Sequence, residues 1–69
     1  MQNISNEKIL RLRTVMGRTG LTRSMAYELV REGRFPRPIN LGARAVGWLE
    51  SEINAWIAAR VEASRAKVA

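Results

Sequence analysis

GLTRSMAYELVREGRFP, residues Gly20–Pro36, decides how the rest of the chain folds. A helix-forming run is fenced by Gly20 and Gly33 and followed at once by Phe35-Pro36. Thr22 is the N-cap candidate, because its hydroxyl can accept from an otherwise orphaned backbone N–H of the first turn. The spacing predicts a helix over Arg23–Glu32, with Gly33 closing it at the C′ position. Ala26, Leu29, Val30 and Gly33 form one inward stripe. Arg23, Ser24, Tyr27, Glu28 and Arg31 fall on the other side, and Arg31 lies near the C-terminus, where the helix dipole favours a cation. Tyr27 carries two readings, a ring in the core or a hydroxyl reaching outward.

Upstream, KILRLR alternates apolar and polar residues, so Leu10–Leu12 is expected as a short strand or an extended entry segment. Thr14 is the cap candidate for a first helix of about two turns that ends near Thr19, with Gly20 at its C′ position. Gly17 inside that helix costs roughly 1 kcal/mol relative to Ala, which predicts close packing against a neighbour. Leu21 sits in the tight turn between the helices.

Downstream, Pro36 and Pro38 forbid helix. Ile39 and Leu41 alternate with Asn40, Val46 and Trp48 alternate with Gly47, and Gly42-Ala43-Arg44 lies between them. This reads as a small hairpin in which Gly42 takes positive φ and Gly47 admits a close approach. Trp48 on the returning strand should anchor the hairpin to the core with Trp56 and Phe35. A third helix begins near Glu50, capped by Ser51 or Glu50, with the acids Glu50 and Glu52 suited to its N-terminus. Ile53, Trp56, Ile57 and Val61 make its apolar stripe.

The 69 residues define one domain, which buries only about 60% of its unfolded surface. The chain holds no Cys, His or Asp, so disulfides, thiolate chemistry and the usual zinc ligands are excluded. Glu50 and Glu52 lie two residues apart and do not share a helical face. With no phosphate-cradling glycine loop, the sequence reads as a non-enzyme with no cofactor, metal or small-molecule substrate. It shows no signal pattern and no apolar run near the roughly 20 residues of a membrane span, so no membrane partner is expected and the cytoplasm is the expected compartment.

Twelve Lys and Arg stand against six Glu, and ten of the twelve are Arg. Nine of these cations fall between Lys8 and Arg44 with only Glu28 and Glu32 to oppose them, whereas the half from Ala45 onward is neutral. A basic front on a neutral support predicts a polyanion-binding face, and Arg suits bidentate phosphate and guanine contacts.

Helix, Gly-containing turn, helix is the layout of a helix-turn-helix, whose second helix offers its N-terminal residues to base edges in the major groove. The hairpin is then a wing, with Arg44 at its tip as a backbone or minor-groove contact. The expected fold class is mainly α with a small β-hairpin: a winged helix-turn-helix of three helices and a small antiparallel sheet. Residues 1–9 are expected to be a flexible N-terminus, residues 10–60 the DNA-binding domain, and residues 61–69 a helix extension or frayed tail.

TGLTRS with Tyr27, EGRFPRPINLG and VGWLESEINAW together resemble the AlpA family of phage and prophage regulators, relatives of excisionases with a winged helix of the MerR type. The resemblance covers Leu10 to about Arg60. It implies a small DNA-binding protein that controls prophage genes or the direction of site-specific recombination. Carried over by position, Thr22, Arg23, Ser24 and Tyr27 are the expected recognition-helix contacts and Arg44 the expected wing contact. Met25 and Ala26 replace the Thr and Ile more usual in the family, which bears on base preference and on core volume respectively. Leu49 occupies a position often polar there and marks a partner surface.

Arg31, Arg34 and Arg37 are further phosphate candidates. Glu28 either accepts from a cytosine amino group or steers Arg31. The expected partner is double-stranded DNA, with an integrase or a second copy on adjacent sites as additional partners. Three alternatives stand beside a regulator: an excisionase-like factor that bends DNA, a protein-binding module using Leu49, Ile57 and Val61, and an RNA binder. The chain lacks the aromatic-bearing sheet that RNA binding commonly uses.

Overall fold

The computed structural model describes residues 7–68, with side-chain surroundings through residue 66. The expected flexibility of residues 1–6 therefore lies outside the described residues. In chain order the elements are β1 (Ile9–Leu10), α1 (Leu12–Thr19), α2 (Arg23–Arg31), β2 (Ile39–Gly42), β3 (Ala45–Leu49) and α3 (Glu50–Val68). The strands form one antiparallel sheet in the order β1-β3-β2, with Leu10 opposite Trp48 and Ile39 opposite Gly47. Three helices and a small three-stranded sheet make the winged helix-turn-helix expected from the sequence.

Helix α1 starts earlier than its sequence suggests. Arg11 occupies the N-cap position without a side-chain cap, and Thr14 lies inside the first turn. Leu12 is helical rather than extended, and its side chain packs on the core; that burial outweighs the capping preference of Thr14. At the other end Gly20 adopts φ 79°, and its N–H donates to the Met16 carbonyl at 2.8 Å. The left-handed conformation costs Gly nothing and turns the chain sharply. Thr19 secures the turn: its hydroxyl donates to the Val15 carbonyl at 2.8 Å and accepts from the Leu21 N–H at 3.2 Å. Gly17 is a correction. It is exposed, and a Cβ there would meet nothing within 4 Å, so close packing does not explain this glycine.

Helix α2 begins as expected, with the Thr22 hydroxyl accepting from the Met25 N–H at 3.1 Å. It ends in paired bonds beyond Glu32: Gly33 N–H to the Val30 carbonyl at 3.0 Å and Arg34 N–H to the Leu29 carbonyl at 2.8 Å. That pairing is the Schellman motif. Of the expected inward stripe, Ala26 is fully buried, Leu29 and Val30 are half-buried, and Gly33 is exposed.

Leu10, Val15, Phe35, Trp48 and Ile53 form the core, with Ala26 buried beside them. Trp48 is its centre. Its indole N–H donates to the Pro36 carbonyl at 2.9 Å, and its ring meets Tyr27 and Phe35 edge-on at centroid distances of 6.1 and 6.4 Å. Trp56 completes the aromatic group, 4.9 Å from Phe35, with its N–H on the Arg34 carbonyl at 2.8 Å. Each indole thus buries its apolar body while its polar edge ties down the FPRP loop.

The start of α3 is satisfied from the other end of the chain. The Glu7 carboxylate accepts from the Ser51 N–H and the Ser51 hydroxyl, both at 3.0 Å, and the Lys8 carbonyl accepts from the Glu50 N–H at 2.8 Å. The expected caps, Ser51 and Glu50, are receivers rather than providers. Ile9 pairs with Leu49, so the segment expected to be flexible through residue 9 is tied to the sheet at its end. The C-terminal stretch is helical through Val68, and residues 58–66 are exposed.

Candidate nucleic-acid interface

Two features of the helix-turn-helix set the geometry of its exposed face. The turn between α1 and α2 comprises Gly20, Leu21 and Thr22, with Leu21 half-buried against the core. The Thr22 cap then orders the first turn of α2, leaving Arg23, Ser24 and Met25 exposed. Side chains on a capped helix turn lose less freedom on meeting a partner, which favours binding there. Exposed first-turn N–H groups and the positive end of the helix dipole add attraction for an anion.

Arg23 lies over the Tyr27 ring, with its guanidinium carbon 5.7 Å from the centroid. Tyr27 belongs mainly to the core: it is half-buried and edge-on to Trp48. Of the two readings its sequence position left open, the core ring is the one found, because Trp48 reaches across from β3 and widens the apolar face that α2 must cover. One ring thus links the exposed Arg23 to the centre of the core.

Glu28 and Arg31 pair with each other at 2.9 Å, both exposed, at side-chain accessibilities of 56% and 73%. Such an exposed pair contributes little, so a phosphate can compete for Arg31. Arg34 pairs with Glu32 at 3.3 Å. Arg34 and Arg37 come together along an open groove that Phe35, Pro36, Leu49 and Trp56 also line. Among the described residues, none from the first turn of α2 lines that groove. Arg18, which carried no expectation, joins α1 to α3 through Glu50 at 2.9 Å and Asn54 at 2.6 Å.

The hairpin tip is strained. Gly42 and Ala45 pair across a two-residue turn in which Ala43 and Arg44 have φ 40° and 68°. Positive φ at both central positions defines the type I′ turn that suits β-hairpin twist, normally served by Asn-Gly. Only Gly42 was expected to have positive φ; it does, at 94°, and its N–H donates to Asn40 Oδ1 at 2.7 Å beside an irregularity in the register. Arg44 is therefore held at the tip in a conformation a non-glycine residue adopts at a cost.

Among the described residues, Arg13, Arg23, Arg37 and Arg44 have no carboxylate partner within ion-pair distance. No group of three metal-ligating side chains occurs among the described residues, and none of their helices is long and apolar enough to cross a membrane. Met25 bears on base preference in the sequence but is not among the expected contacts. At 50% exposure on the first turn of α2 it stands between Ser24 and the buried Ala26, and its position off the inward stripe was the signal for it. Of the three residues that a protein-binding module would use, Val61 is exposed at 41%, while Leu49 and Ile57 are half-buried against the body.

A tight turn into a capped helix, followed by a two-stranded projection with a cation at its tip, defines the winged helix-turn-helix class. Within it, the chain belongs to the family of the prophage CP4-57 regulatory protein (AlpA), whose model matches residues 8–61. It is 46% identical over 61 residues to the uncharacterized protein ORF88 of Enterobacteria phage P4, spanning 88% of this chain and 69% of that protein. It is 36% identical over 66 residues to the DNA-binding transcriptional activator AlpA of Escherichia coli (strain K12), spanning 87% of this chain and 94% of that one. No solved structure gives a significant match.

Proposed function

We propose that this chain is a prophage regulator that binds double-stranded DNA in a sequence-specific manner. The observation that carries the reading is the capped first turn of α2, which holds Arg23, Ser24 and Met25 exposed at a positive helix end. The relative from E. coli, a DNA-binding transcriptional activator, supports it. In this reading α2 enters the major groove, with Arg23 and Ser24 at base edges and Met25 offering an apolar contact to a thymine methyl. Thr22 and the Tyr27 hydroxyl lie near the backbone. Arg31, Arg34, Arg37 and Arg44 supply phosphate contacts, and Glu28 holds Arg31 until DNA arrives. Much of the affinity then comes from counterion release.

Selection of bound duplexes from a random pool, with retention measured at two salt concentrations, tests the reading. Enrichment of a common sequence whose retention falls with salt is expected. A pool recovered without enrichment at either salt would refute sequence-specific binding.

Arg23→Ala should cost about 1–3 kcal/mol of discrimination at a single base position, read by titrating duplexes that differ there. Unchanged affinity and discrimination would mean that α2 is not the reading helix. Arg44→Gly should have opposite effects on stability and binding. Relief of positive φ should raise stability by about 1 kcal/mol, while all duplexes bind more weakly and the slope of log affinity against log salt falls by about 0.9 for the lost phosphate contact. Equal affinity in Arg44→Gly would remove the wing from the interface. DNA bending in a circular-permutation gel shift, with and without an integrase, separates a regulator from an excisionase-like factor.

A further inference from the structure

Pairing between β1 and β3 stops at Leu10 opposite Trp48. The backbone then turns at Arg11 into α1, but the Arg11 side chain continues along the strand. Its Nε–H donates to the Val46 carbonyl at 3.0 Å, two residues beyond the last backbone pair. Arg11 thus fastens the start of the helix-turn-helix to the tip end of strand β3 in the wing, and Val46 lies only two residues from Arg44 at the tip.

This bond uses one of the five N–H donors of a guanidinium. Neither Nη1 nor Nη2 of Arg11 has a partner among the described residues, in contrast to Arg18, Arg31 and Arg34, whose Nη groups bond carboxylates. Arg11 is exposed, and its surroundings in sequence are cationic, with Lys8 and Arg13 on either side. Glu7, the nearest acid in sequence, has both oxygens on Ser51. A guanidinium held at Nε by a backbone carbonyl keeps its two Nη groups in a fixed fork, the geometry that matches phosphate oxygens. From Val46 to Arg44 is about 7 Å along a strand, so the backbone of one DNA strand can meet both.

Resting on the DNA-binding reading above, we propose that Arg11 is a DNA-phosphate contact, oriented by the wing through Val46 and acting beside Arg44. It binds duplexes of any sequence alike. A fastener without a phosphate role would instead affect only the stability and orientation of the wing.

The test compares wild type, Arg11→Ala, Arg11→Gln and Arg11→Lys on a short mixed-sequence duplex across a salt series. Thermal melts monitored by circular dichroism run in parallel, and Arg11→Gln decides should Arg11→Ala fail to fold. A second arm scans neutral methylphosphonate linkages through the duplex recovered by selection. Expected for Arg11→Ala and Arg11→Gln are a loss of about tenfold or more, a salt slope lower by about 0.9, and one linkage whose neutralisation weakens wild type but not the variant. Arg11→Lys should keep the slope and lose part of the affinity, since it retains charge without the fork. If the variants shift only the melting temperature, with slope and linkage penalties as in wild type, Arg11 is a fastener and the proposal fails. If wild type binds neither duplex, the DNA-binding reading itself fails.

Discussion

Trp48→Ala should leave this chain largely unfolded at room temperature. Trp48 is fully buried, and the change removes its edge-on contacts with Tyr27 and Phe35 as well as the indole bond to the Pro36 carbonyl. Loss of a buried aromatic costs about 3–5 kcal/mol, while a domain of this length is stable by only on the order of 3–10 kcal/mol. The Pro36 carbonyl, half-buried, also loses its donor. Trp48→Phe should fall between the two, because it keeps ring contact but not the hydrogen bond. Urea titration followed by circular dichroism measures both. A cooperative Trp48→Ala transition within about 1 kcal/mol of wild type would show that the core does not depend on this ring. Since Tyr27 carries Arg23 over its face, the same variant disturbs the proposed reading helix even at low temperature, where folded protein remains.

Gly47→Ala is expected to be the most destabilising addition of a single methyl group. A Cβ there would collide with Ile9 Cγ2 and come within 3.2 Å of the Leu10 carbonyl oxygen and Leu41 Cδ1. The Leu10 carbonyl is backbone and Ile9 is β-branched, so neither yields freely. Overpacking of this kind costs about 1–3 kcal/mol. Displacing β1 would also withdraw Glu7 and Lys8 from the start of α3. Shortening the obstacle should help: Ile9→Ala combined with Gly47→Ala should be more stable than the sum of the two changes predicts, the signature of coupled neighbours. Gly17→Ala is the control, expected to be neutral or stabilising because its Cβ enters open space. Strict additivity in the double variant would contradict the contact between β1 and β3 at this position.

Elements governed by short-range chemistry were legible in the sequence. Thr22 caps α2 and Gly20 closes α1, because each depends on a hydroxyl or a missing Cβ within a few residues, and Gly47 shows its missing Cβ within an alternating strand although the neighbour it admits comes from β1. The aromatic group was legible in membership, since large apolar rings in so small a domain have nowhere else to go. Its reach was not. Tyr27 follows the polar side of its own helix, and only Trp48, arriving from β3, makes that position a core position.

The candidate interface divides in the same way. Arg23, Ser24 and Arg44 follow from a capped helix start and a hairpin tip, both visible as patterns of residue types. The pairing of Arg31 with Glu28, one turn apart on α2, was one of the two roles open to Glu28 in the sequence, whereas Arg34 and Arg37 could not be placed beside Trp56 until the loop and α3 were seen together.

Periodicity, glycines and prolines, and the crowding of Arg into the first two-thirds of the chain were enough to specify a helix-turn-helix with a wing and a cationic face. They act along the chain, over one or two turns of helix or a pair of strand residues. The Glu7 cap on α3, the Arg11 bond to Val46 and the Arg18 bridge to α3 span 44, 35 and 32 residues of sequence. Each joins groups whose separation is set by how the sheet and helices close on one another, and charge or polarity at a single position carries no record of that closure.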